Sequence, residues 1–588
     1  MKRMLFIPVA LLTLLGSACS SLPRSPSIKS LADDDYSLAI EYLQRYLPAQ
    51  MKKRGLTGVS AALVDGQQLV WSEGFGFADK DAGTRATKRT AYGAGSVSKL
   101  FTALAVVQLA EQRKLDLDAP ITDSVPEFGL QSRFGSIDEI TLRNILSHHA
   151  GIPGNIIDGM WTNEPQAFTT VTTRLNGYYA AFAPNTVFAY SNAGYSVAGH
   201  AVQEASSRAF TDYMDEAVLR PLGMTHSNFR YDRSGEELSR DYWKGDDVES
   251  PGLRDLPAGG LISTVGDLSQ LIKLVNGDGF LESRFLEAES LRDMLAIQEY
   301  DSALEPNSFN GIGWFHFSRF LDDKYSVVGH TGQTMAHSAI LAMAPDLKLG
   351  VVLLANSPSN GALEEMTDEI LRVAHAVKTG RALSSIDATV EEPRPLQGTQ
   401  SSFHGHYASS FGQLNIVGDG DTYDVMVGGR KLKLIKQDKD GHVLRARLLG
   451  FIPVKPPNIG ELSFFAREVN GERLIYARNP AGQFGLVASQ IITQPRDSAW
   501  DARLGEYTLT NPIETEIDLF RIENVSLRHV DGFYQLSLSS PLSNQELPLK
   551  VINESEAILQ GYGRGLGETV IAQEDGSLLH AGLVFVRN

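Results

Sequence analysis

Apolar positions in this chain follow two different periods, and the change from one to the other divides it. Near Asp33 to Arg54 the spacing is helical, with Leu38, Leu43, Tyr46 and Leu47 among the apolar positions. Val59 to Val64 and Gln68 to Trp71 read as strands, and Asp65-Gly66 between them predicts a tight hairpin turn. Ser96 to Lys114 returns to helical spacing through Leu100, Leu104, Val107 and Leu109. Helix and loop signals then dominate to about residue 275. Strand-like runs reappear at Gly311 to Phe317, Tyr325 to His330, Ala339 to Ala344 and Gly350 to Ala355, and Leu363 to Ala376 reads as a closing helix. Strands at both ends with helices between predict one sheet built from distant segments, its faces covered by helices, over residues 33–378.

Residues 379–400 lose this periodicity and carry Ser, Thr, Pro and Glu, as a linker does. Short alternating strands follow at Leu414 to Val417, Tyr423 to Val427, Leu432 to Ile435, Val443 to Leu448, Phe533 to Leu538 and Leu547 to Ile552. Many short strands with turns such as Gly428-Gly429 and Asp440-Gly441 predict a barrel or sandwich. His404-Gly405-His406-Tyr407 echoes Leu504-Gly505-Glu506-Tyr507, each opening a β-rich stretch. The echo predicts two small barrel-like modules, 401–496 and 497–588, with one larger barrel as the alternative.

A length of 588 residues fits two to four domains. The net charge of −17 and the lack of a basic stripe exclude a nucleic-acid role. Lys2 and Arg3, the apolar run Met4 to Leu15 and the small residues Gly16-Ser17-Ala18 read as a signal peptide over 1–18. The lone cysteine, Cys19, follows directly. This resembles the lipobox of bacterial lipoproteins, although Gly16 stands where Leu is usual; ordinary cleavage beside an incidental cysteine is the alternative. Residues 19–32 are expected to tether the folded body to a lipidated Cys19, and no further membrane span is expected.

Ser96-Val97-Ser98-Lys99 opens the helix after Gly93-Ala94-Gly95. A serine at a helix N-terminus has a free backbone N–H and a favourable dipole for an oxyanion, and Lys99 lies on the same face. A capping serine beside a solvated lysine would give the same local pattern. Tyr190-Ser191-Asn192 precedes a helix at Ala193 to Ala205, and a tyrosine beside Lys99 with a lowered pKa would serve as a base. His330-Thr331-Gly332 ends a strand-like run, where glycine would let a substrate backbone approach. Neither Gly-x-Ser-x-Gly nor HExxH is present; His148-His149 reads as loop packing rather than a metal site.

Together these three segments resemble the motifs of the serine β-lactamase and penicillin-binding protein superfamily, in its class C-like branch of DD-peptidase, D-aminopeptidase and esterase relatives. Gly58 to Gly66, Gly74-Phe75-Gly76, Leu115 to Pro120, Leu146-Ser147-His148, Pro221 to Met224 and Ala258 to Leu261 extend the likeness over roughly residues 35–378. The resemblance implies an α/β (α+β) β-lactamase/transpeptidase-like domain with an antiparallel sheet flanked by helices, followed by an all-β barrel-like region. It also implies roles. Ser96 attacks the carbonyl; Lys99 and Tyr190 share the proton transfers; Asn192 bonds the substrate amide or orients Lys99. The N–H groups of Ser96 and Gln333 form the oxyanion hole, and His330, Thr331 and Gly332 face the substrate. No metal or organic cofactor is implied.

His330 departs from the lysine usual in class C β-lactamases, so strong β-lactamase activity is not expected. A histidine titrating near its ordinary value would attract a substrate carboxylate only below about pH 6.5. The expected activity is hydrolysis of small amides or esters, D-amino-acid peptides or carboxylic esters, at the periplasmic side of a bacterial envelope, where peptidoglycan-derived peptides are suitable substrates. A weak β-lactamase and a non-catalytic envelope binding protein on the same scaffold are the alternatives.

Overall fold

In a computed structural model, the first and last strands of the N-terminal unit lie side by side. It describes residues 22–588 apart from 32–34, 230–237, 280, 282–283, 318–319, 322–324, 384–393, 411, 438–440, 449–451, 455–461, 480–481, 514, 516, 518–520 and 542–543. The signal 1–18 and Cys19 lie outside the described residues. Gly58–Asp65 pairs antiparallel with its hairpin partner Gln68–Asp79 on one side and with Leu349–Ala355 on the other. Ser338–Ala344, Val327–Gln333 and Phe315–Phe317 continue the sheet beyond Leu349–Ala355.

Ser338–Ala344 and Leu349–Ala355 are buried at every position because both faces of the sheet are covered. Alternate residues then separate into two cores. Leu341, Met343, Val352 and Leu354 pack with the helices Ser98–Glu111, Asn192–Ser206 and Val265–Asn276. Ile340, Ala342, Val351 and Leu353 pack with Ser37–Arg54 and Ala362–Thr379. Helix Ser98–Glu111 is buried without a break from Ser98 to Val107, which matches a helix enclosed on all sides.

Three expectations change. Strand Val327–Gln333 runs through His330-Thr331-Gly332 instead of stopping at it, because Thr331, Gly332 and Gln333 pair with Ile340, Ala339 and Ser338. Only Phe315–Phe317 of the run from Gly311 is strand; Gly313 takes φ +83° and turns the chain just before it. The stretch expected as a free tether is docked in part: Leu31 is buried and Leu22 packs on the same cluster as helix Ala362–Thr379.

Beyond residue 398 the chain forms two closed barrels, each of eight strands among the described residues. In the first, Ser463–Val469 pairs with both Glu472–Arg478 and His442–Leu448, which closes the ring. In the second, Gly505–Leu509 pairs with Asn524–Val530 and with Leu583–Arg587. Inward residues alternate, as Val525/Leu527, Tyr534/Leu536 and Leu583/Phe585 do in the second core. The sequence echo corresponds to a shared construction. Gly405 (φ +145°) and Gly505 (φ +151°) open the first strand of each barrel. Two residues on, Tyr407 Oη donates to the Ser402 carbonyl and Tyr507 Oη to the Arg503 carbonyl.

Candidate active site

Ser96 sits in a single 3₁₀ turn, Gly95–Val97, that leads into helix Ser98–Glu111. The turn is wedged between two segments. On one side Tyr92-Gly93 pairs with Ile262-Ser263, and the Ala94 N–H donates to the Leu261 carbonyl at 2.7 Å. Ser98 reinforces this side, accepting from the Leu261 N–H at 2.9 Å and donating to the Gly95 carbonyl at 2.6 Å. On the other side lies strand Val327–Gln333. A Cβ at Gly332 would stand 2.0 Å from the Ala94 oxygen, and one at Gly95 would stand 2.5 Å from the Gln333 nitrogen. The glycine expected to make room for substrate therefore makes room for the turn that carries Ser96. This close fit brings the backbone of Ser96 against that of Gln333.

Lys99 is fully buried and its Nζ has two short partners, the Asn192 Oδ1 at 2.7 Å and the Ala258 carbonyl at 2.6 Å; Ser96 Oγ is 3.4 Å away. Burial holds the Lys99 pKa well below its usual range, the Arg564 charge acts in the same sense, and Asp255 opposes them. A neutral amine has two N–H groups and one lone pair. In that form the two carbonyl oxygens would hold the N–H groups and the lone pair would face Ser96. Tyr190 Oη donates to Ser96 Oγ at 2.8 Å. Its phenol is pushed up to about 12 by burial, against the pull of the Ser96 bond and of Arg564. Tyr190 is thus a proton donor at neutral pH, not the lowered-pKa base expected from sequence. Asn192, the first residue of helix Asn192–Ser206, donates through Nδ2 to Asn155 Oδ1 at 2.8 Å, so its side chain orients Lys99.

The beta-lactamase family model matches residues 43–375, more than half of the chain. This protein belongs to the beta-lactamase family. It therefore falls in the serine hydrolase superfamily. Protein flp of Staphylococcus aureus (strain N315) is 26% identical over 328 residues, covering 54% of this chain and 63% of its own length. Unguisins hydrolase ungD of Aspergillus violaceofuscus is 26% identical over 362 residues, 56% of this chain and 63% of its own length. The chain thus spans less than two thirds of these curated relatives. Among solved structures, the octameric penicillin-binding protein homologue from Pyrococcus abyssi aligns with a TM-score of 0.52 at 22% identity, covering 74% of this chain and 98% of that one. SurE with D-Leu aligns with a TM-score of 0.51 at 21% identity, covering 75% and 97%. At these identities the structures share the fold.

Within this beta-lactamase-family site, His330 does not serve as the conditional cation expected. It is buried, and Nδ1 contacts the Thr331 carbonyl, an acceptor only, so Nδ1 carries the proton. Nε2 is enclosed without a partner, and burial beside Lys99 lowers the pKa to about 3. The ring packs edge-on against Phe315, 4.7 Å between centroids. His148 packs tilted against the Tyr190 ring at 4.2 Å and accepts from the Ser191 N–H at 3.1 Å, so it packs the loop and backs the tyrosine.

Ser96, Tyr190, Asn192, His330, Thr331, Gly332 and Gln333 all line one cleft of about 700 Å³, and Lys99 lies beneath its floor. Its apolar walls include Ile157, Trp161, Phe188 and Phe315. Sequence reading missed three contributors. Asn155 and the Ala258 carbonyl set Asn192 and Lys99, and Arg564 of the second barrel reaches the cleft with its guanidinium 4.8 Å from the Tyr190 ring centre. Glu568 Oε1 accepts the Gly154 N–H at 2.8 Å, and the Gly154 carbonyl accepts the Asn192 N–H at 2.8 Å. The second barrel therefore forms part of the site's wall.

Proposed function

We propose that this protein hydrolyses small amides and esters through a Ser96 acyl-enzyme, with D-amino-acid peptides as the leading substrate class. One observation carries the reading: Ser96 Oγ lies between an amine whose N–H groups are already bonded to carbonyls and a phenol that donates to it. Lys99 takes the Ser96 proton as Oγ attacks the carbonyl carbon, and the N–H groups of Ser96 and Gln333 hold the oxyanion. The proton passes from Lys99 through Tyr190 to the leaving nitrogen or oxygen; water then repeats the sequence on the acyl-enzyme. The names ungD hydrolase and SurE with D-Leu belong to those proteins and lend the substrate class support. Cys19 and the segment before it support a lipid-anchored envelope location, where peptidoglycan-derived peptides occur.

The test is a substrate panel of nitrophenyl esters, D-Ala-D-Ala peptides, D-amino-acid amides and a cephalosporin, with a fluorophosphonate probe. Ser96 is expected to carry the label, with hydrolysis of D-amino-acid substrates reduced at least about 10³-fold in Ser96→Ala. Undiminished turnover in that variant, or labelling at another residue, refutes the assignment.

A further inference from the structure

The stretch 560–568, Gln-Gly-Tyr-Gly-Arg-Gly-Leu-Gly-Glu, places a glycine at every second position. Gly561, Gly563, Gly565 and Gly567 all take positive φ, between +73° and +114°, a region that other residues rarely adopt. The loop lies flat on the catalytic unit: a Cβ at Gly567 would stand 2.6 Å from the Ala181 oxygen and from the Phe182 ring. It is held on both sides of Arg564. Tyr562 stacks on Phe182 at 5.6 Å, Leu566 is buried with Ala181, Phe182, Val187 and Ala189, and the Glu568 carboxylate takes the Gly154 N–H.

Arg564 is the exposed residue of this clamped loop, and it lies in the lining of the cleft. Its guanidinium rests on the face of Tyr190, whose hydroxyl bonds the nucleophile. Among the described residues it forms no hydrogen bond and no ion pair. Glu364, the carboxylate in the same lining, is not paired with it. Lys99 uses its N–H groups on Asn192 and Ala258, and the His330 Nδ1 is turned to the Thr331 carbonyl. A guanidinium held over a ring face with no hydrogen-bond partner keeps its N–H fork open, and that fork matches a carboxylate.

We propose that Arg564 is a carboxylate subsite of the Ser96 cleft, selecting substrates that carry an anionic group near the scissile bond over their neutral counterparts. This rests on the Ser96 hydrolase reading. The test uses two fluorophosphonates of equal length, one ending in a carboxylate and the other in a carboxamide, and compares their rates of Ser96 labelling. Wild-type protein is expected to prefer the carboxylate probe roughly tenfold to a hundredfold, the range of a charge-assisted hydrogen bond. The preference should collapse toward unity in Arg564→Ala, stay intermediate in Arg564→Lys, which keeps the charge without the fork, and weaken with added salt. Melting curves of both variants report whether the loop remains docked. A wild-type ratio near one, or a ratio that Arg564→Ala leaves intact, overturns the subsite. If neither probe labels Ser96 in the wild type, the hydrolase reading itself fails, and the subsite with it.

Discussion

Replacing Gly332 with alanine tests whether the nucleophile is positioned by the strand behind it. The added Cβ would stand 2.0 Å from the Ala94 oxygen, while ordinary contact starts near 3.4 Å. A gap of 3.4 − 2.0, about 1.4 Å, must therefore open between strand and turn. Neither side yields easily. Ala94 is bonded to Leu261, and Gly332 is paired with Ala339 of the neighbouring strand. Overpacking of this kind lowers stability by about 1–3 kcal/mol. Moving Ser96 and Gln333 apart by about 1 Å is expected to lower kcat/KM about 10²-fold, near 2.7 kcal/mol of barrier. The assay is ester hydrolysis and fluorophosphonate labelling beside a melting curve, with Gly177→Ala as control, since a Cβ there meets nothing within 4 Å. A Gly332→Ala protein that remains folded and keeps activity within about threefold of wild type refutes the positioning argument.

Acid inactivation should follow Lys99. Its amine must be free to take the Ser96 proton, so activity falls as pH drops through its lowered pKa. Arg564→Gln removes one cause of that lowering, so the acid limb of the kcat/KM profile on a neutral ester should move to higher pH; an unmoved limb, or one moved lower, refutes the coupling. Glu568→Ala leaves the buried Gly154 N–H without its acceptor and should destabilise the protein by about 1–3 kcal/mol, with Glu568→Gln milder because an acceptor remains; equal melting temperatures for the two variants count against this contact.

Much of the catalytic unit was legible because its signals are local. The unbroken apolar run of Leu349–Ala355 and the helical spacing after Ser96 are short-range patterns, and Ser96, Lys99, Tyr190 and Asn192 do converge. The strand through His330 was misjudged at its end because Thr331, Gly332 and Gln333 owe their extended form to pairing with Ser338–Ile340, not to their own propensity. The roles of Tyr190 and Lys99 turned on burial, which no stretch of sequence states. Arg564 lay hidden because it stands far along the chain in a different module. Its signal was four alternating glycines framing one charged residue between barrel strands, a pattern only a constrained loop requires.

Sheet order also constrains how the unit assembles. Val59 pairs with Ala355 and Val64 with Gly350, so the opening hairpin waits for almost the whole unit before its free edge is covered. Such long-range pairing makes folding slow and leaves an apolar strand edge exposed in the meantime. The nucleophile turn depends on the same event, because the strand that braces Ser96 is anchored through Ser338–Ala344 to Leu349–Ala355. Chain fragments that stop short of residue 355 hold Ser96, Lys99 and Tyr190 but lack the completed sheet. On the Ser96 hydrolase reading, the site is therefore completed only when the two ends of the unit meet.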